Sequence, residues 1–184
     1  MTTAAVVLAA GLGRRFPGKL RVSFRGRPLV QWAFESAAGS GLDELLVVVG
    51  DDDLADLRPA GARALRNPDP AAGQASSLGV AIAAADAAGH EAVVVGLADQ
   101  PLVPTEAWRR VAAAPAEAAI ATATFAGSRR PPVRLLRAVW PLLPDAGDEG
   151  ARVLLRSRPE LVVEVPCPGD PVDIDTPEDL ERWS

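Results

Sequence analysis

The chain reads as one α/β domain, a mostly parallel sheet flanked by helices. Two patterns and a composition predict it. Valine-rich apolar runs alternate with amphipathic stretches, and β-branched runs of that kind mark strands buried on both faces. With 48% hydrophobic and 23% charged residues in 184, the chain can fill a sizeable core. In chain order, the apolar run Ala4–Ala10 predicts the first strand, and Pro28–Ala38 a helix with proline near its first turn. Strands follow at Glu44–Val49 and Ala62–Leu65, then a helix over Ser77–Ala88 that Ser76 or Ser77 can cap. Ala92–Leu97 predicts a strand, Thr105–Ala113 a helix and Ala119–Phe125 another strand. Beyond it, Arg129-Arg130-Pro131-Pro132 reads as a rigid basic turn, and Pro141, Pro144 and Gly147 break the chain into short pieces. Residues 126–152 are therefore read as an insertion covering one end of the sheet. A helix over Glu149–Ser157, a strand over Leu161–Val165 and a helix over Thr176–Trp183 complete the domain. The last helix opens with a threonine cap, a proline and two acids.

Composition excludes several chemistries. One cysteine, Cys167, and one histidine, His90, exclude a disulfide scaffold, a Cys/His zinc site and an iron–sulfur cluster. No nucleophile pattern surrounds His90, which argues against a catalytic triad. The apolar run at the start is too short to span a membrane and lacks the flanks of a signal peptide, so a cytoplasmic protein is expected.

Charge is distributed unevenly. Residues 1–34 hold six cations (Arg14, Arg15, Lys19, Arg21, Arg25, Arg27) and no acid, although the whole chain carries −5. Such asymmetry predicts an anion held near the N-terminus. The acidic total and 4% aromatic content argue for a small phosphorylated ligand and against nucleic acid. Of the 19 basic residues, Lys19 alone is lysine. A compact ammonium on a flexible stem meets a phosphate oxygen in a tight space where a planar guanidinium does not fit.

Lys19 stands in Gly11-Leu12-Gly13-Arg14-Arg15-Phe16-Pro17-Gly18-Lys19-Leu20, directly after the first predicted strand. Three phosphate-binding patterns overlap here. For a dinucleotide fingerprint, Gly11 and Gly13 fit, but the third glycine position is Phe16 and Pro17 follows. For a Walker A loop, Gly13, Gly18 and Lys19 fit, but Leu20 offers no hydroxyl for a metal ion. In the third pattern, backbone N–H groups of a side-chain-poor turn wrap a triphosphate while Arg15 and Lys19 neutralise its oxygens.

Two acidic segments lie where a metal ion would complete such a site. Asp99 follows the run Val93–Leu97, at the carboxyl edge where α/β sheets bind ligands. Asp173 and Asp175 flank Ile174, so an inward Ile174 turns both carboxylates toward the cleft. Asp99 and Asp175, with Asp173 as substitute, suit Mg²⁺, which keeps several waters and takes few protein ligands.

The run Leu8–Lys19 resembles the LAAGxGxRxxxxK signature of nucleotidyltransferases. With Asn67-Pro68 through Gly73 to Ser76-Ser77-Leu78, Asp99-Gln100-Pro101, Gly147–Arg152 and Asp173–Leu180, the chain resembles the MobA-like NTP transferase family almost end to end. The resemblance is strongest to its molybdenum cofactor cytidylyltransferase branch. It implies a three-layer Rossmann-like fold and Mg²⁺-dependent transfer of a nucleoside monophosphate with release of pyrophosphate. By resemblance, Ala10, Gly11 and Gly13 hold the phosphates with Arg15, Lys19 meets the α-phosphate, and Asp99 with Asp175 places the metal. Gly73, Ser76 and Ser77 lie by the base or ribose, the serines serving equally well as helix caps. Arg130, Asp148 and Arg152 lie by the acceptor. Ala9-Ala10-Gly11 is the form that resembles cytidylyl enzymes, favouring CTP over GTP, with molybdopterin as acceptor and transient contact with a molybdoenzyme or its chaperone. Arg130-Pro131 departs from the family's small residues before the Pro-Val pair, which leaves sugar or polyol phosphates as alternative acceptors. A P-loop-like NTPase and a nonenzymatic nucleotide-binding module are the alternatives of another class.

Overall fold

β1 (Thr3–Ala9) is buried at every residue, as expected of a parallel strand covered on both faces. In the computed structural model, which describes residues 1–184, it lies in the middle of a seven-stranded sheet. A short ribbon of β2 (Ser23–Phe24) and β3 (Arg27–Pro28) leads into α1 (Leu29–Ala38). The chain continues through β4 (Glu44–Val49), β5 (Arg63–Arg66), α2 (Gln74–Ala87), β6 (Ala92–Leu97) and α3 (Thr105–Ala112). It ends with β7 (Ile120–Phe125), β8 (Ser128–Leu136), α4 (Arg152–Ser157), β9 (Val162–Pro166) and α5 (Pro177–Trp183). Sheet order is β5-β4-β1-β6-β8-β7-β9. Every pairing is parallel except those of β8 with β6 and β7.

Strand periodicity divides the core into two layers. Ala5, Val7 and Ala9 of β1 face α1 and α3, packing with Phe34 and Trp108. Ala4, Val6 and Leu8 face α2 and α4, packing with Leu78 and Leu155. Fully burying a valine or leucine contributes about 1.5–3 kcal/mol, so these alternating runs are a principal source of stability. Gly96 interrupts β6 for a packing reason. A Cβ there would stand 2.4 Å from Cζ2 of Trp108, so the indole occupies the space a side chain would need.

Residues 126–152 correct the sequence reading. They contain a sheet strand, β8, inserted antiparallel between β6 and β7. Arg129–Pro132 is part of that strand, and the turn falls at Ala126 and Gly127, both at positive φ. Register passes from Thr122 opposite Val133 to Ala123 opposite Arg130, leaving Pro131 and Pro132 in a bulge. Proline has no N–H to give to a ladder, and a bulge is where a sheet tolerates it. Pairing of β8 with β6 ends at Val95–Val133, so β8 diverges there and opens a slot beside the carboxyl end of β6.

β8 also carries a fully buried arginine. Arg134 donates to the carbonyls of Ala112, Ala114, Pro115 and Ala118 at 2.5–3.2 Å, taking up acceptors that the end of α3 leaves open.

Smaller differences concern element ends. α2 starts at Gln74, so Ser76 and Ser77 lie inside its first turn and Gly73 is its N-cap. α4 starts at Arg152, after a turn closed by Arg152 N–H donating to Glu149 O at 2.9 Å. α5 has the expected cap, with Thr176 Oγ1 accepting from Asp179 N–H and the Asp179 carboxylate accepting from Thr176 N–H. No helix is long and apolar enough to cross a membrane.

Candidate active site

Strand order reverses direction between β1 and β6, because the chain leaves β1 for β4 on one side and returns to β6 on the other. Crevices at the carboxyl ends of such neighbouring strands are where open α/β sheets bind ligands. The loop after β1 and the residues after β6 meet there.

The loop is shaped by its glycines. Gly13 sits at φ +54, and a Cβ on it would press to 3.0 Å from the carbonyl oxygen of Phe16. That carbonyl accepts from Lys19 N–H, and Phe16 N–H donates to Gly13 O, so two tight turns deliver Lys19 to the cleft. Space where a Cβ of Gly11 would stand is empty to 4 Å. The backbone N–H groups of Gly11, Leu12, Gly13, Arg14 and Arg15 make no hydrogen bond within the protein. Successive open donors of this kind form an anion-binding concavity. Lys19 lies in a single 3-10 turn, Lys19–Arg21, so the helix that a Walker A loop should begin at its lysine is missing.

Lys19 Nζ stands 2.6 Å from Asp99 Oδ2 and 2.7 Å from Asp175 Oδ1. Its side chain is 12% exposed, with Asp99 at 22% and Asp175 at 33%. Burial alone would pull the ammonium down, but Asp99 and Asp175 outweigh it and hold its pKa above the ordinary value. Arg15 donates to the second carboxylate oxygen of Asp175 at 2.9 Å.

Asp173–Asp175 lies outside any strand, between β9 and α5. This segment arrives as an extended tail held by two backbone bonds, Asp170 N–H to Leu102 O and Ile174 N–H to Asp99 O. Ile174 is fully buried with Phe24 and Leu29, which turns its flanking carboxylates the other way. Asp175 meets Lys19, whereas Asp173 accepts from Gln100 Nε2 at 2.8 Å. Burial, with Asp99 and Asp175 nearby, pushes the Asp173 carboxyl above its ordinary pKa. Of the two, Asp175 shares a cation with Asp99.

A divalent metal fits this donor set. Two carboxylates converge on one cation, their oxygens are hard ligands, and Lys19 Nζ is a stand-in ion between them.

On one side of Asp99, a cleft of roughly 420 Å³ is lined by Ala10, Gly11, Arg14, Gly73, Ser77 and Asp148 among others. Gly73 is required where it stands: φ is +95, and a Cβ would lie 2.6 Å from Asp148 Oδ1 and from Gly147 O. Gly147 bridges the start of α2, donating to Ala72 O and accepting from Ala75 N–H. Asp148 thus sits with the loop residues, apart from the other two acceptor candidates. Arg130 and Arg152 line the slot opened by β8, with Leu78, Leu97, Pro131 and Leu155 as its apolar walls.

Two residues given no role from sequence fix the cleft's Ser77 and the carboxylate of Asp173. Asn67, 2% exposed, donates through Nδ2 to both Ser76 Oγ and Ser77 Oγ at 2.9 Å and accepts from Asp69 N–H. Gln100, equally buried, holds Asp173. Their motifs, Asn67-Pro68 and Asp99-Gln100-Pro101, were visible, but nothing local indicates which polar groups they meet. Arg21, Arg25 and Arg27 have partners at the surface, respectively Asp52 with Asp56, the Trp183 carbonyl, and Glu35. The guanidinium groups of Arg14, Arg130 and Arg152, residues that line the cleft and slot, have no hydrogen-bonded or ionic partner.

Residues 5–162 match the MobA-like NTP transferase domain. This chain belongs to the MobA-like NTP transferase family, among the nucleotidyltransferases. Nicotine blue oxidoreductase of Paenarthrobacter nicotinovorans is 32% identical over 195 residues, covering 96% of this chain and 94% of that protein. Purine catabolism protein PucB of Bacillus subtilis is 31% identical over 192 residues, covering 96% and 93%. The solved structure of Rv0371c from Mycobacterium tuberculosis H37Rv superposes with a TM-score of 0.85 at 26% identity, covering 99% of this chain and 97% of that one. A further structure of that mycobacterial protein is a complex with manganese. These MobA-like neighbours share the Rossmann-like architecture described above.

Proposed function

We propose that this protein moves CMP from CTP onto the phosphate of a molybdopterin-type cofactor and releases pyrophosphate, with Mg²⁺ as its metal. The observation that carries this reading is Lys19 Nζ between Asp99 and Asp175, beside a loop whose N–H donors are open.

The acceptor phosphate is already anionic, so no strong general base is needed. One of its oxygens attacks the α-phosphorus in line, and the bond to pyrophosphate breaks with its electron pair on the leaving oxygen. Gly11, Gly13 and Arg15 bind the β- and γ-phosphates, and Lys19 offsets charge at the α-phosphate. Asp99 and Asp175 hold the metal, which supplies Lewis-acid stabilisation of phosphate charge when bound. Ala10, Gly73, Ser76, Ser77 and Asp148 border the nucleoside, and Arg130 with Arg152 draws the acceptor's anion into the apolar slot.

No covalent enzyme intermediate is required. His90 pairs with Glu44, at the amino ends of β6 and β4 and so at the opposite sheet edge. Burial pushes the Cys167 thiol up, away from the reactive thiolate.

The test is a panel of four NTPs against reduced pterin cofactor and sugar phosphates, read as pyrophosphate. Release with CTP and the pterin is expected. Release only with a sugar or polyol phosphate would move the acceptor assignment, and inorganic phosphate without acceptor would indicate an NTPase. A second reading rests on the similarity to an oxidoreductase. Redox turnover of nicotine blue with no pyrophosphate from any pair would replace nucleotidyl transfer by that reading.

A further inference from the structure

Asp99 and Asp175 already hold a cation. Lys19 Nζ lies within 2.7 Å of one oxygen of each carboxylate, and Arg15 takes the remaining near oxygen of Asp175. The gap accepts one small cation at a time, ammonium or divalent metal. A metal entering alone must therefore expel a largely buried ammonium that bonds no third carboxylate, Asp51 and Asp52 across the neighbouring pocket being paired with Arg66 and Arg21. Lys19, Asp99 and Asp175 line one pocket with Gly11, Gly13 and the unpaired Arg14, whose loop carries open N–H donors, so an anion bound there lies within the pocket that Lys19 already faces.

We propose that Lys19 keeps Asp99 and Asp175 closed to a divalent cation until a bound triphosphate draws the ammonium away. The inference rests on the nucleotidyl-transfer reading for the identity of the anion, and on the ion-pair geometry for everything else. Lys19 thereby has two alternating partners, the carboxylate pair and the phosphate. Metal and triphosphate strengthen one another's binding by the same factor, as linkage requires. An empty enzyme is also kept from collecting free metal in a form unready for nucleotide.

The test is Mn²⁺ binding without nucleotide, followed through the electron paramagnetic resonance signal of the free ion. Native protein is compared with Lys19→Met and Arg15→Met, each first checked for native circular dichroism and thermal unfolding. Both variants remove one positive charge from Asp175, but only the first empties the space between the carboxylates. Lys19→Met is expected to bind Mn²⁺ at least about 10-fold tighter than native, within the usual range of couplings between sites, and Arg15→Met less than about 3-fold tighter. Lys19→Gln provides a second variant should methionine disturb folding. Equal affinity of native and Lys19 variants would overturn the proposal. So would an equal gain from Arg15→Met, since general charge would then explain it. None of these arms reads turnover, so a failed pyrophosphate assay and a failed metal titration are separate results.

Discussion

Lys19 illustrates how little sequence context a site residue needs and how much structure gives it meaning. Arg21 spans two carboxylates at the surface, but Lys19 is held between two carboxylates with only 12% of its side chain exposed. A pre-aligned charge contact of this type is worth about 3–4 kcal/mol in a transition state, by analogy with one oxyanion donor. Lys19→Ala and Asp99→Ala are each expected to lose at least about 100-fold in kcat while unfolding at near-native temperature. Near-native rates with CTP and acceptor in either variant would remove the mechanism. Arg15 was legible as a loop cation but not as a partner of Asp175, because the two are 160 residues apart. No local pattern encodes a pairing of that separation.

At the scale of elements, the loop between β1 and α1 is fastened from outside. Arg21, two residues past Lys19, donates to both oxygens of Asp52 and both of Asp56 in the loop after β4. Hydrogen bonding to Arg21 lowers the Asp52 carboxyl from 3.8 to about 2. A depressed carboxylate adds stability that is complete above its unfolded pKa and disappears as pH falls through the folded one. Arg21→Met should therefore unfold at a lower temperature than native near pH 6. The difference should narrow below pH 3.8 and close near pH 2, as thermal melts at a series of pH values would register. Persistence of the full difference at pH 2 would assign it to packing of the arginine stem.

Asn67 does the same work inside the fold, joining the loop after β5 to the first turn of α2. Asn67→Ala leaves buried polar groups unmatched, at a cost of about 1–3 kcal/mol. Its expected kinetic signature is a KM for CTP raised about 10-fold with kcat less affected, because the residue shapes a binding wall and touches no reacting atom. A fall in kcat alone would contradict that role.

β8 marks the element the sequence concealed. Arg129–Pro132 has the composition of a turn, and proline pairs badly in ladders. The bulge absorbs both prolines while Val133 and Leu135 stay buried in the sheet. Local propensity lost to the burial of a strand between two others.

For the whole molecule, Leu8, Gln74 and Leu97 are the shared wall of two pockets built from different parts of the chain. The cleft proposed for the nucleotide comes from the β1 loop and the start of α2, the slot proposed for the acceptor chiefly from β8 and α4. Arg130→Ala with Arg152→Ala should raise the KM for a phosphorylated acceptor at least about 10-fold, since charged contacts are worth about 1.5–3 kcal/mol each. CTP affinity, measured by calorimetry, should change less than about 2-fold. A matching loss of CTP affinity would merge the two pockets into one.

By itself, the sequence determined the layers, the glycine loop after β1 and the carboxylates that meet Lys19. Valine-rich period-two runs, tight glycine turns and acids following strands depend on neighbours in the chain, so they are written locally. Only the tertiary structure decided that Asp175, not Asp173, shares a cation with Asp99, that Asn67 holds Ser76 and Ser77 while Gln100 holds Asp173, and that β8 enters the sheet. Each depends on which distant segments are buried together: Ile174 against Phe24 and Leu29, or β8 between β6 and β7. Burial of that kind is a property of the packed chain, and no short stretch of residues specifies it alone.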